Sequence, residues 1–461
     1  MKVKCTLALV LSATMVPTLL AGCGNTNTPA GDSGSATLSD GDSSAAETDA
    51  SDLSETETVE NGALDAGYTG EACEIHYAYW QDALGPYLED CKANFEAENP
   101  DITIVLEPTA WGEYWNKIEI STIGNTVADV FQMNGPNIYK YVDSGNILSL
   151  DDYIASSSLD MSNYPEALNN LYNVEGAQYG IPMDYDTIGL WYNKELFDDA
   201  GVEYPTDSWT WDDLVDAAEK LTDPDKGVYG IAAGYADQGG FFNTVPAYGG
   251  YILSDDKSKS GFSEEATVAG IKCWIDLMAA GYSPSQASLS ENADYIQFMS
   301  GKIAMMYAGD WYASIFSDPQ ADFADKCDVQ FLPTINGNRA SCIHGKANCI
   351  AAGTEHPDAA WEWVKYLSGA QANEILGKSG AAIPAYTEYS HLFFEAYPQY
   401  NMDIFAQEAT DCSVPYPTSK GFNEWADVVW NYLIPAYSLE TSIEDACADI
   451  AEEMDSILEM Q

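Results

Sequence analysis

From Glu74 to Phe131 the apolar residues recur first at strand spacing, then at helical spacing, and the alternation repeats. Glu74 to Tyr79 reads as a strand, and Leu84 to Glu98 as a helix with Tyr87, Leu88, Cys91 and Phe95 along one face. Asn99-Pro100 stops that helix, and Ile102 to Leu106 forms the next strand. A second helix runs from Trp111 to about Ile123, and Asp129 to Phe131 is a third short strand. This order predicts an α/β fold, a parallel sheet with helices on its faces. In open sheets of this kind ligands bind beyond the carboxyl ends of the strands. Those ends are Tyr79-Trp80-Gln81, then Pro108-Thr109-Ala110-Trp111, then Gln132-Met133-Asn134. Each is polar or aromatic, as a binding rim would be.

The pattern restarts after Gly180-Ile181-Pro182 with a strand near Thr187 to Tyr192. Thr210 is placed to cap a helix running to Leu221, with Asp212 and Asp213 in its first turn. Further helices are expected at Glu264 to Ala279, Pro357 to Leu367, Gln371 to Gly377, Asn423 to Tyr432 and Ile443 to Glu459. A chain of 461 residues is too long for one small core, so two or three domains are expected.

The first residues read as an address. Lys2 and Lys4 precede an apolar stretch from Leu7 to Leu20, too short for a permanent membrane span and suited to a secretory signal. It ends in Leu20-Ala21-Gly22-Cys23, similar to the bacterial lipobox, in which the cysteine takes a diacylglyceryl group and becomes the first residue. A signal peptide over residues 1–22 and a lipid anchor on Cys23 are therefore expected. Gly24 to Ala72 is made of Gly, Ser, Thr, Ala, Asp and Glu with few apolar residues and no Lys or Arg, a disordered acidic tether. The remainder is expected to be soluble, on the extracellular face of the cell membrane.

Charge excludes some partners. With 18 basic against 73 acidic residues the formal net charge is −55, which repels phosphate backbones, so no nucleic-acid partner is expected. Arg339 is the one arginine, which argues against ligands gripped by a guanidinium fork, such as phosphate esters. Four histidines form no metal spacing, and GxSxG, GxGxxG and P-loop motifs are missing. Asp223-Pro224-Asp225-Lys226-Gly227 has a faint calcium-loop look but reads better as a turn. No catalytic residue, cofactor or metal is assigned. Eight cysteines remain after Cys5 and Cys23 are set aside, with no zinc or redox spacing and no pairing deducible.

Four strings carry a family likeness. They are Gly189-Leu190-Trp191-Tyr192-Asn193-Lys194-Glu195-Leu196-Phe197, then Trp209-Thr210-Trp211-Asp212-Asp213-Leu214, then Phe298-Met299-Ser300-Gly301-Lys302-Ile303-Ala304-Met305 with Gly309-Asp310-Trp311, then His356-Pro357-Asp358-Ala359-Ala360-Trp361. In order and spacing the chain resembles the family 1 extracellular solute-binding proteins, the maltose-binding-protein class, from about residue 73 to the end. The resemblance implies a periplasmic-binding-protein type II fold: two α/β lobes, a ligand cleft between them, and discontinuous chain crossings. It implies residues 73–187 and about 348–395 in the first lobe, and about 190–345 and 405–461 in the second. It also implies a monomer that hands a carbohydrate, on its aromatic wealth an oligosaccharide, to an ABC permease.

Sugars present apolar faces and hydroxyl-rich edges, so aromatic plates and fixed polar groups are the candidates. On the first lobe these are Tyr79, Trp80, Gln81, Trp111 and Asn134; at the crossing Asp184, Tyr185 and Asp186. On the second lobe they are Phe241, Phe242, Asp310, Trp311, Glu424 and Trp425. Each has a packing reading as its rival. Trp209, Trp211, Trp361 and Trp363 lie on signature helices and are expected in the core. Paired carboxylates beside aromatics also describe an exported glycoside hydrolase, and a sugar sensor for a membrane receptor would share the same binding features.

Overall fold

The computed structural model describes residues 68–80 and 82–460. The expected signal segment, Cys23 with its anchor, most of the acidic tether and Gln81 lie outside the described residues. Among the described residues no helix is long and apolar enough to cross a membrane.

The first sheet has the strand order Ile102–Pro108, Cys73–Tyr79, Val130–Asn134, Lys346–Ile350, Ile181–Pro182. Its first three strands are parallel, as the helical connections Gly85–Glu98 and Trp111–Ile123 require. Lys346–Ile350 then runs antiparallel to both neighbours, so a late segment of chain completes the early sheet. Strand alternation divides the side chains of Cys73–Tyr79: Ile75, Tyr77 and Tyr79 enter one core, Ala78 another. Trp80, one residue past the strand, joins Ala78.

The second sheet is antiparallel, in the order Cys327–Gln330, Ile188–Asn193, Met305–Gly309. Helices Glu265–Ala279, Phe422–Tyr437 and Ile443–Leu458 bury Trp274, Trp425, Leu433 and Ile450 in its core. Helix Trp211–Leu221 starts with a reciprocal cap: Thr210 Oγ1 accepts the Asp213 N–H, and the Asp213 carboxylate accepts the Thr210 N–H. Its Trp211 is buried, as are Trp361 and Trp363 on helix Pro357–Ser368. Asp223 Oδ1 accepts the N–H groups of Asp225 and Lys226, an ordinary turn. The eight described cysteines are free thiols, six of them buried.

Two sheets, each flanked by helices, form two lobes; three passages of chain join them, and one buried cluster runs from Ile75 and Tyr77 of the first sheet to Trp191, Met306 and Val329 of the second. Asp186 and His344 exchange backbone hydrogen bonds of 2.9 and 3.2 Å, so the first two passages lie side by side. The third reaches them through Thr187 Oγ1, which donates to the Phe405 carbonyl at 2.9 Å, and through the Ser341 N–H, which donates to the Cys412 carbonyl at 3.0 Å. Ser341 Oγ also accepts the Ile188 N–H at 2.8 Å and lies 3.1 Å from the Ile188 carbonyl. Each hydrogen bond here joins segments that are remote in sequence.

Ser341 is fully buried at this junction. Replacing it with alanine leaves the Ile188 N–H without its acceptor, which should cost about 1–3 kcal/mol. Urea unfolding of Ser341→Ala against the parent protein measures the loss.

Candidate ligand-binding site

The passages meet around a β-bulge. Pro182 pairs with Ala347, and Asp186 pairs with His344. Between those pairs lie Met183, Asp184 and Tyr185 on one strand but only Gly345 and Lys346 on the other, so one residue is extra. Gly345 is required there, because a Cβ would sit 2.2 Å from the Asp184 carbonyl oxygen. The bulge brings the Asp184 carboxylate onto Lys346. One oxygen accepts the Lys346 N–H at 2.7 Å and the other meets the ammonium group. The Lys346 ammonium lies 5.8 Å from the centre of the Trp80 ring, within cation–π range.

His344 faces the same region. Its Nε2 accepts the Gly135 N–H at 3.2 Å, so the ring proton is on Nδ1, which lies 4.0 Å from Asp186 Oδ2. Burial, with the nearby Lys346 charge adding to it, pulls the imidazole down to about 3, and the ring is neutral. Asp186 also accepts the side-chain amide of Gln238. Burial pushes its carboxyl up to about 7, helped by the Asp184 charge and opposed by Lys346 and Gln238. Asp310, at the end of Met305–Gly309, is 3% exposed. Burial first, then Asp186 and Asp184, raises its carboxyl well above the usual range. Its Oδ1 has no hydrogen-bond partner among the described residues.

Aromatic groups flank this polar centre. On the first lobe the Trp80 ring is 5.4 Å from Trp111, 4.8 Å from Tyr114 and 5.8 Å from Trp115. Trp80 is buried while Trp111 is 55% exposed, so Trp111 presents a free surface at the rim. Asn134 is buried, its Oδ1 accepting from Asn137 at 2.8 Å. On the second lobe the indole of Trp311 lies over Gly309, where a Cβ would be 1.9 Å from it. The Tyr416 ring lies 4.9 Å from that of His344, tilted at 49°, and its hydroxyl donates to Asp237 at 2.9 Å. Contacts that span the cleft include Lys257 to the Tyr139 hydroxyl, Lys420 to Asp143 at 3.2 Å, and the Thr418 hydroxyl to the Gly135 carbonyl.

The structure thus brings Trp80, Asn134, Asp184, Asp186 and Asp310 near the crossing strands, with Trp111 packed on Trp80 and Trp311 following Asp310 in the chain while packing on the second core. Other candidates are drawn elsewhere. Tyr79 alternates away from Trp80 and stacks on Tyr77 inside the first core. Tyr185 turns away from its two aspartates into the same core. Phe241 and Phe242 pack on each other at 4.9 Å in the second core, where Phe242 also meets Tyr416 at 5.1 Å. Trp425 is on the buried face of its helix and donates to Ser419, which leaves Glu424 exposed to solvent. Gln81 lies outside the described residues. Sequence reasoning missed His344, Lys346, Gln238 and Tyr416. Lys346 alone carried a signal, a cation beside the point where the resemblance returns the chain to its first lobe.

A family model of the bacterial extracellular solute-binding proteins matches residues 77–374. The chain belongs to that family, whose members bind solutes and are not enzymes. A binding protein of Brucella abortus (strain 2308) is 24% identical over 391 residues, 83% of this chain and 92% of its own. The maltotriose-binding protein of Pyrococcus abyssi is 26% identical over 275 residues, 58% of this chain and 56% of its own. An ABC substrate-binding protein of Listeria monocytogenes, solved in complex with cycloalternan, superimposes with a TM-score of 0.76 at 26% identity, covering 83% of this chain and 98% of that one.

Lys346→Met leaves Asp184 as an uncompensated buried charge and should destabilise the protein by about 3–5 kcal/mol in chemical denaturation. The His344 ring should show no NMR titration between about pH 8 and pH 5. Its folded-state pKa is depressed from 6.5 to about 3, so the stability it contributes is complete above 6.5 and falls away as acid approaches 3.

Proposed function

We propose that this protein captures a carbohydrate, and specifically an oligosaccharide, between its lobes and delivers it to an ABC import permease. The observation that supports the reading is the set of groups at the lobe junction: Trp80 packed on the exposed indole Trp111, part-buried Asp186, and buried Asp310 with Trp311 next to it in sequence. Indole faces take the apolar C–H faces of a sugar, and carboxyl groups take its hydroxyls. Relatives named for maltotriose binding, and one solved with cycloalternan, support the same class of guest. We assign residues 73–187 and about 348–395 to the first lobe, and about 190–345 and 405–461 to the second. A lipid anchor on Cys23, an extended acidic tether and action as a monomer complete the proposal, and would keep the lobes beside their permease.

Closure is the mechanism. A ligand shifts the open–closed balance only by its differential affinity for the two forms, so the second lobe's contacts must form on closing. Moving the population from 1:99 to 99:1 takes about 5.5 kcal/mol. Stacked aromatics contribute roughly 0.5–1.5 kcal/mol each beyond area burial. Hydrogen bonds add about 1 kcal/mol net each. A few of both suffice.

Trp311→Ala should weaken oligosaccharide binding tenfold or more in calorimetry, with the far-ultraviolet circular dichroism unchanged. Scattering profiles of the parent protein should contract on adding the sugar. Unchanged affinity removes Trp311 from the site. Binding of no carbohydrate, or cleavage of one, overturns the reading itself.

A further inference from the structure

A second concavity lies on the second lobe, outside the residues assigned above. It encloses about 280 Å³, with Tyr235, Trp274, Tyr307 and Trp430 among its walls and Gln286 and Asp294 at its polar edge. We propose that it holds an outer ring of the bound oligosaccharide, an uncharged hydroxyl-bearing unit at one end of the chain. This rests on the carbohydrate reading above and adds to it where the chain extends.

Trp430 is the first reason. Helix Phe422–Tyr437 buries Phe422, Trp425, Val429 and Leu433 on one face. Trp430 is off that face and 50% exposed, a large apolar surface left in water. Its ring meets Tyr235 edge to face, with centroids 4.9 Å apart and planes at 81°. The two rings are already in contact, so they form a corner, and the open part of the Trp430 indole is the face left for a sugar ring to stack on.

The second reason is the floor and edge. Trp274 and Tyr307 beneath are buried and packed at 4.8 Å, so the base is rigid. The Tyr235 N–H donates to Gln286 Oε1 at 2.8 Å, and the Gln286 amide donates to Ser290 at 3.2 Å, which fixes the polar edge. Asp294 supplies a carboxyl that burial holds above the usual range. Apolar walls with a few fixed polar groups, and no cation among the lining residues, suit a neutral sugar ring.

Continuity with the cleft is the third. Gly239 lines the concavity, and its neighbour Gln238 holds Asp186 at the lobe junction. Asp237, one residue earlier, takes the Tyr416 hydroxyl. One short loop therefore touches the central site on one side and this concavity on the other.

The test is calorimetry on the full chain with malto-, cello- and arabino-oligosaccharides of one to six units. The parent protein should bind one series with affinity that rises with length. Trp430→Ala and Gln286→Ala should each remove that rise, about tenfold for the longest member, and leave the shortest bound member unaffected. Trp311→Ala should weaken every length alike. If Trp430→Ala and Gln286→Ala bind all lengths as the parent does, or lose the same factor at every length, the concavity holds no sugar ring while the central reading stands. If the parent binds no member of any series, the carbohydrate reading fails and this inference with it.

Discussion

The buried pair between Asp184 and Lys346 organises this molecule. Its side chains are 3% and 12% exposed, so both charges have left water at a cost of several kcal/mol each. Mutual attraction and the Lys346 N–H on the second Asp184 oxygen offset that cost. The pair joins the first passage between lobes to the returning one, and the bulge at Gly345 lets both strands reach it. Two residues along, the same strands set His344 against Asp186. The ammonium group that balances Asp184 also lies over Trp80, so the aromatic rim and the acidic centre share one anchor.

Around this anchor the junction holds more acid than base. Asp184, Asp186 and Asp310 face one lysine and a neutral histidine, and the two carboxyls that Lys346 does not neutralise are pushed toward their protonated forms. Burial drives those shifts, since low polarity disfavours charge more than a distant cation favours it. A guest rich in hydroxyls would offer these carboxyls both donors and acceptors. The single oxygen of Asp310 without a partner would gain most. In the proposed mechanism binding and closure are one process, because Asp186 and Asp310 come from different segments of the junction.

Local structure was largely legible in the sequence. Helices read at Trp111 to Ile123, Pro357 to Leu367 and Ile443 to Glu459 end within a residue of those observed. The Thr210 cap and the parallel start of the first sheet also follow from short-range pattern. Sites were less legible. Tyr79 and Trp80 were both placed on a rim, yet neighbours along an extended chain point to opposite sides, and only one of them can serve it. The same alternation separates Tyr185 from Asp184 and Asp186. On helix Phe422–Tyr437 the spacing that buries Trp425 is what leaves Trp430 out in solvent.

What the sequence determined alone is the set of elements and the family they belong to, since periodicity, caps and signature strings are properties of neighbouring residues. Only the tertiary structure decided that Lys346–Ile350 completes a sheet begun at Cys73, and that a one-residue bulge aims Asp184 at Lys346 and Asp186 at His344. Register between strands some 160 residues apart is set by packing on both faces and by the hydrogen bonds of three crossing segments, and no local pattern records it.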